Sequence, residues 1–409
     1  MKKYFFGADI LLPKFRLDAE KMKKWACIAC DQYTSEPDYW KDVEDIVGAS
    51  ESTLKVTLPE VWLDEAESRI PAINANMVEY TSSVLDSFPD SMIYLERRLK
   101  NGSVRRGIVG AVDLEEYDYN KGASSLIRAT EGTVLERIPP RVKIRKGASI
   151  ELPHIMILID DPEKSVIEPL TGKNYEVAYD FDLMEGSGHV KGTFIPSDEQ
   201  ERINSSLNSL AHGEFPLLFA MGDGNHSLAS AKAFWEQIKP TLTENEKNVH
   251  PARYALCEIV NIHDAALEFE PIYRVLFGVE PEKVVYELCE YARSLPKNEL
   301  PKQCVTVVTS LGEKEIIFDD PTSFLPVGTL QSFLDEYAKK NGAKIDYIHG
   351  VDSVKKLVTN DSVGFIFKGM EKSELFPTVI ADGALPRKTF SMGEADDKRF
   401  YLEARSIVL

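Results

Sequence analysis

At 409 residues, 43% hydrophobic and 28% charged, the chain has the length of two or three domains of about 150 residues and can bury its own cores, which excludes a disordered polypeptide. Sixty-six acidic against 48 basic side chains give a formal net charge of −18, a field that repels nucleic-acid and anionic membrane phosphates and argues against both as partners. No apolar run reaches the ~18 residues of a membrane span, and Met1–Ile10 lacks the apolar core of a signal peptide, so the expected location is the cytoplasm.

In chain order, apolar residues at Ile70, Ile73, Met77, Tyr80, Val84 and Leu85 predict a helix. Met92–Leu99 and Val104–Val112 read as the strands of a hairpin joined by a two-residue Asn101-Gly102 turn with both residues at positive φ. The basic stretch Arg137–Lys146 follows, with five cations that would guide an anionic substrate or form a solvated face. His154–Ile159 reads as a buried strand, and Tyr175–Leu183 with His189–Ile195 as a strand and its return. Ser197 and Gln200 have capping-box spacing ahead of a helix that buries Ile203, Leu207 and Leu210. Phe215–Met221 is a strand, Leu228–Ile238 a helix and Arg253–Ile262 another strand. Helices and strands then alternate through Pro281–Leu295, Cys304–Thr309, Leu330–Lys339, Val351–Leu357, Val363–Phe367 and Leu375–Ala381. The polar Pro240–Pro251 stretch suggests a boundary between an N-terminal α/β region, 1–240, and a C-terminal one, 251–409. Hairpins mixed with alternating units indicate an α+β or mixed α/β fold.

The sharpest chemical signal is Met221-Gly-Asp-Gly-Asn-His-Ser227, where an apolar strand meets an amphipathic helix. Gly222 and Gly224 permit a tight turn and close approach of a ligand to the backbone. The free N–H groups and positive dipole end of the helix favour phosphate or carboxylate. Asp223 and His226 can share a proton or bind a metal. Asp223, Asn225 and Ser227 are equally good helix caps, although a cap does not need His226. Five cysteines are too few and scattered for a disulfide framework, and Cys27-Ile-Ala-Cys30 has no second pair, so no structural zinc is expected. The other histidines, His154 among them, show no ligand spacing and read as core or surface residues.

Four segments resemble the bacterial family of domain of unknown function 1015. Asp223-Gly-Asn-His-Ser227 is similar to its Asp-Gly-His-His-Arg box, and Leu126-Ile-Arg-Ala-Thr-Glu-Gly-Thr133 to its Val-Ile-Arg-x-His-Glu-x-Thr stretch. Glu270-Pro-Ile-Tyr-Arg274 resembles its Pro-x-His-Arg, and Leu385-Pro-Arg-Lys-Thr-Phe390 its Pro-x-Lys-Ser-Thr-Phe. The first box also resembles that of the ParB and sulfiredoxin-like superfamily, which includes nucleotide-binding partition proteins and archaeal free-serine kinases. The resemblance implies ParB/sulfiredoxin-like elements with an additional mixed-sheet domain, and a phosphate pocket at the helix start. Asn225 and Ser227 stand where the family has histidine and arginine, so the box lacks its own phosphate-gripping cation. Asp31-Gln-Tyr-Thr-Ser35 matches the family's Pro-Tyr-Asp-Val segment poorly.

The resemblance implies further site residues. Arg128 would hold a phosphate bidentately, with Thr133 beside it and Glu131 as a base. Arg274, Arg387 and Lys388 would add positive charge. The leading expectation is a phosphotransferase that acts on a small polar metabolite with a nucleotide (ATP, ADP or CTP) and Mg²⁺. In it Asp223 holds the metal, His226 is the acid/base, and Gly222, Gly224, Asn225 and Ser227 form the phosphate cradle. The alternatives are a ParB-like nucleotide-binding regulatory module and a metal-assisted hydrolase.

Overall fold

A computed structural model describes residues 2–409. The described residues form two compact units: 2–129, 133–267 and 394–409 make the first, and 130–132 with 268–393 the second. The Pro240–Pro251 stretch, expected at a boundary, lies inside the first unit as a short turn and the helix Glu244–Val249, whose N-terminus is closed by a Thr243/Glu246 capping box.

The first unit is built on a nine-stranded mixed sheet. From one edge its strands are Val177–Asp182, His189–Phe194, Ile93–Arg98, Val104–Asp113, Tyr254–Asn261, Met156–Ile159, Phe219–Asp223, Ile127–Arg128 and Tyr117–Asp118. The Tyr254–Asn261 and Met156–Ile159 pair is parallel, whereas Met156–Ile159 and Phe219–Asp223 run antiparallel. Alternate residues feed two apolar cores. Ile93, Leu95, Val109 and Leu256 enter one; Tyr94, Ile108, Val112, Cys257 and Ile259 enter the other. This period of two puts successive side chains on opposite faces, each face covered by helices.

The C-terminal segment returns to this unit. Tyr401 pairs with Cys27, Arg405 with Glu151, and Ala404 with Leu11. It carries Arg399 into a buried charge network, where Arg399 lies 3.1 Å from Glu258 and 2.8 Å from Glu403. Arg105 adds a third contact, 3.7 Å from Glu258, and the Tyr179 hydroxyl donates to Glu403.

The second unit holds an antiparallel sheet ordered Gly312–Phe318, Gln303–Thr309, Ser362–Phe367, Phe269–Phe277, Lys344–His349, with Phe390–Met392 also paired to Phe269–Phe277. Among the described residues no helix is long and apolar enough to cross a membrane.

The expected elements are present with local corrections. The first long helix is Ala66–Ser83, and Leu85 opens a strand instead of ending the helix. The hairpin forms, but its loop is three residues: Leu99 N–H donates to the Ser103 carbonyl, and of Asn101 and Gly102 only Gly102 has positive φ. The Asn101 carboxamide accepts from the Ser103 N–H and so closes the loop without left-handed backbone of its own. The Ser197 capping box does not form. The helix begins at Ser197 after Pro196, and Gln200 donates instead to the carbonyls of Asp90 and Ile195.

Arg399→Met should destabilise the first unit by about 3–5 kcal/mol, because buried Glu258 keeps only the more distant Arg105 and buried Glu403 only the Tyr179 hydroxyl. All four tryptophans (Trp25, Trp40, Trp62, Trp235) lie in this unit, so urea unfolding followed by tryptophan fluorescence reads the loss directly.

Candidate functional site

The strand Phe219–Asp223 is apolar through Met221 because both its faces are buried. A bulge falls between Met221 and Asp223, leaving Gly222 as the extra residue opposite Met156. Gly224 then caps the helix Asn225–Ile238 with φ +74°, and a Cβ there would lie 2.9 Å from the Ile155 Cα. Glycine is required on both counts. No side chain caps this helix, so the N–H groups of its first turn are presented without a side-chain acceptor on Gly224.

Around this helix start the first unit assembles several of the expected residues. Asp223 accepts the Gly224 N–H at 2.8 Å. Asn225 is held from two sides: its Oδ1 accepts from the Tyr117 hydroxyl, and its Nδ2 donates to the Thr133 Oγ1 at 3.0 Å. The Val134 N–H donates to His226 Nε2 at 3.2 Å. Thr133 and Val134 thus bring the end of the second motif to the first. Burial, then the charges of Arg141 and Arg137, push the His226 imidazole below its ordinary value. A neutral His226 whose Nε2 accepts a hydrogen bond carries its proton on Nδ1, so it is placed as a donor and not as a base.

Arg128 is turned toward the backbone. It lies beside the same strand, paired with Ala220, but its Nε donates to the Ser125 carbonyl and its Nη2 to the Phe215 carbonyl. It is buried, and desolvation lowers its pKa. Its guanidinium ties together the segments that lead into two neighbouring parallel strands.

Cationic charge reaches the helix start from elsewhere. Lys398, on the returning C-terminal segment, lies 3.6 Å from the Asp223 carboxylate. Arg137 and Arg141 act on His226 from the basic segment, whose helix Ile138–Lys146 belongs to the same unit. Two further residues stand here that sequence reading set aside. His154 Nε2 lies 3.5 Å from Ser227 Oγ and 3.8 Å from the Asp31 carboxylate, and its Nδ1 is 2.9 Å from the Tyr401 hydroxyl. Burial works to raise the Asp31 carboxyl, but the charges of His154 and Lys398 with a hydrogen bond from Gln32 prevail, and it lies below the usual carboxylate range. Asp31 had one faint signal, its place in the poorly matching segment. His154, Lys398 and Tyr401 had none, because no local spacing links Asp31, His154 and the C-terminal segment.

The remaining expected residues gather in the second unit. Arg274 is fully buried and braces a turn: its Nη groups donate to the carbonyls of Ile272, Arg387 and Lys388, and its Nε to Gln331. That turn places Lys388 at φ +53°. The cationic groups of Arg274, Arg387 and Lys388 lie 4.6, 5.5 and 5.1 Å from the Tyr347 ring centre. The Tyr347 hydroxyl accepts from Arg387 Nε at 2.6 Å. Glu131 joins them through the backbone N–H groups of Lys388 and Thr389. Burial raises its carboxyl to about 7 against the opposing effect of those hydrogen bonds and the charges of Arg274 and Lys388. Among the described residues, no group of three or more His, Cys, Asp or Glu side chains is arranged to hold a metal ion.

Residues 11–359 match the family described as "Protein of unknown function (DUF1015)". The chain belongs to this family. Three of the four motifs fall within the matched residues, and Leu385–Phe390 lies beyond them. No curated protein matches the chain in sequence. Among solved structures, a free serine kinase in complex with AMP shares 13% identity, with 73% of this chain and 91% of that chain covered and a TM-score of 0.37. A mutant free serine kinase in complex with ADP shares 12%, covering 75% and 93%, with a TM-score of 0.38. A conserved hypothetical protein from Pyrococcus furiosus shares 12%, covering 73% and 94%, with a TM-score of 0.35. Similarity at this level carries no functional argument.

Two outcomes test this geometry. Gly224→Ala should cost about 1–3 kcal/mol in chemical unfolding, since alanine must hold a left-handed backbone against Ile155. The Glu131 carboxyl, raised from 4.5 to about 7, binds a proton in the folded state that the unfolded chain has already released at pH 5–7. Its contribution to stability is therefore present below about pH 4.5 and lost as pH rises through 7. Comparing melting temperatures of Glu131→Gln and the parent chain from pH 4 to pH 8 should show the variant gaining ground with rising pH.

Proposed function

We propose that the protein is a nucleotide- and Mg²⁺-dependent phosphotransferase acting on a small polar metabolite. The observation that carries this reading is the helix start at Gly224: a glycine-shaped turn, a first turn without a side-chain cap, and Asp223, His226, Ser227 and Lys398 gathered around it. Backbone N–H groups at a helix N-terminus bind phosphate through directed hydrogen bonds and the helix dipole. Gly222 and Gly224 would let the phosphate approach the backbone, while Ser227 and the Asn225 N–H would complete the cradle. The ParB/sulfiredoxin-like reading of the box is part of this proposal.

The residues present suit a metal that arrives with the nucleotide. Mg²⁺ keeps several waters and commonly takes only one or two carboxylates besides phosphate oxygens. Asp223 supplies one such carboxylate, and bound Mg²⁺ would neutralise charge on the transferring phosphate. His226 Nδ1–H would donate to a phosphate oxygen, and Lys398, with Arg137 and Arg141, would supply the positive charge that the box itself lacks. The chain's strong net negative charge confines favourable anion binding to such local clusters.

The test is a thermal-shift titration with ATP, ADP and CTP, each with and without Mg²⁺, on the parent chain and on Asp223→Ala and His226→Ala. Binding at 100 times the dissociation constant adds about 2.7 kcal/mol of apparent stability. The shift should need Mg²⁺ and disappear in Asp223→Ala. No shift with any nucleotide, or an unchanged shift in both folded variants, overturns the reading.

A further inference from the structure

The groups around His154 form a chain of polar contacts that helix capping does not require. His154 is buried, its side chain 8% exposed, yet its Nε2 faces Ser227 Oγ at 3.5 Å. On the other side of the ring, Nδ1 meets the Tyr401 hydroxyl at 2.9 Å. That hydroxyl accepts the Cys30 N–H at 3.3 Å and lies in hydrogen-bonding reach of the Cys30 thiol. Burial drives the thiol up to about 12 and the phenol well above its ordinary value, so both stay protonated. When the phenol directs its proton to the Cys30 sulfur, its lone pairs receive the Cys30 N–H and the His154 Nδ1–H. The Nε2 lone pair is then left facing Ser227. Asp31, 3.8 Å from the same Nε2, stands where it would stabilise an imidazolium.

We propose that Ser227 and His154 are a nucleophile–base pair for an activated phosphoryl group, with Tyr401 as the positioning residue that fixes the His154 tautomer. This deepens the phosphotransferase reading and rests on it for the phosphoryl donor. His154 Nε2 takes the Ser227 proton as Oγ attacks phosphorus. The Oγ–P bond forms, the bond from phosphorus to the leaving oxygen breaks, and the leaving group departs with the electron pair. The acceptor hydroxyl then attacks the phosphoserine after His154 has passed its proton to the departing oxygen. The acceptor's own proton goes to Nε2 and from there to Ser227 Oγ, restoring both groups. The position suits such a step: Ser227 sits in the first turn of its helix, whose N–H groups face charge developing on phosphate oxygens. The same geometry assigns different work to the two histidines, His226 donating and His154 accepting.

A biotinylated fluorophosphonate tests the pair without a nucleotide, because its phosphorus is attacked by an activated serine hydroxyl with loss of fluoride. Incubation with the full chain, followed by peptide mass spectrometry, should place one label on Ser227. Labelling should vanish in Ser227→Ala and slow by roughly 100-fold or more in His154→Gln, the size expected for loss of a general base. No label on Ser227, or an unchanged rate in folded His154→Gln, overturns the pair. Since His154 is buried and its variant is liable to misfold, ¹⁵N-histidine NMR on the unaltered chain gives a second reading. It should show His154 protonated on Nδ1, with the tautomers mixing in Tyr401→Phe; protonation on Nε2 in the unaltered chain overturns the proposal. A Mg²⁺–ATP thermal shift without labelling sinks the pair and leaves the phosphate pocket standing, whereas labelling without any nucleotide shift keeps the pair and sinks the nucleotide reading.

Discussion

The left-handed backbone of Gly224 is the constraint on which the candidate site depends. It turns an apolar strand into a helix within one residue, in a space where the Ile155 backbone leaves no room for a side chain. A slower turn would have allowed a serine or aspartate to cap the helix, as at Thr243, and would have satisfied the N–H groups internally. Here Asp223 accepts the N–H of Gly224 and the helix proper is left without a side-chain cap. A helix start left without a side-chain cap forgoes the stabilisation a cap would give, which the surrounding sheet must offset.

The offset comes from elements far away in sequence. The C-terminal segment threads back through the first unit and contributes Lys398 beside Asp223, Arg399 to the buried charge network and Tyr401 to His154. Such a network is a weak source of net stability, but it is specific: a displaced segment would leave Glu258 buried without Arg399. The placement of Lys398 and Tyr401 follows from an arrangement that tolerates little slippage. In the second unit, Arg274 acts in a comparable way, its five-donor fork holding the Arg387–Lys388 turn over Tyr347.

These contacts redistribute the charges expected at the site. Arg128 and Arg274, two of the arginines expected to meet phosphate, donate to backbone carbonyls. The cations that bear on the helix start come from Lys398 and the basic segment instead. Guanidinium groups serve buried carbonyls well because one planar fork satisfies several acceptors at once, and that use looks the same in a sequence as phosphate recognition.

Much of this protein was legible from its residues. The strand–glycine–helix signal at Met221–Ser227 located the helix start, because apolar runs, paired glycines and a 3.6-residue period are local properties of the chain. The mixed α/β architecture, the hairpin about Gly102 and the family, through motifs in order, were readable for the same reason. Local detail failed where a competing partner intervened: Gln200 prefers the carbonyls of Asp90 and Ile195 to a capping box, and Asn101 closes its loop through its side chain. Phe269–Phe277 was hidden as a strand because Pro271 breaks its pattern. The sequence by itself determined where the chain turns from strand to helix at Gly224, because that signal is local. Only the tertiary structure decided that His154, Asp31, Lys398 and Tyr401 meet at one helix start, since strand pairings such as Cys27 with Tyr401 join positions that no local periodicity connects.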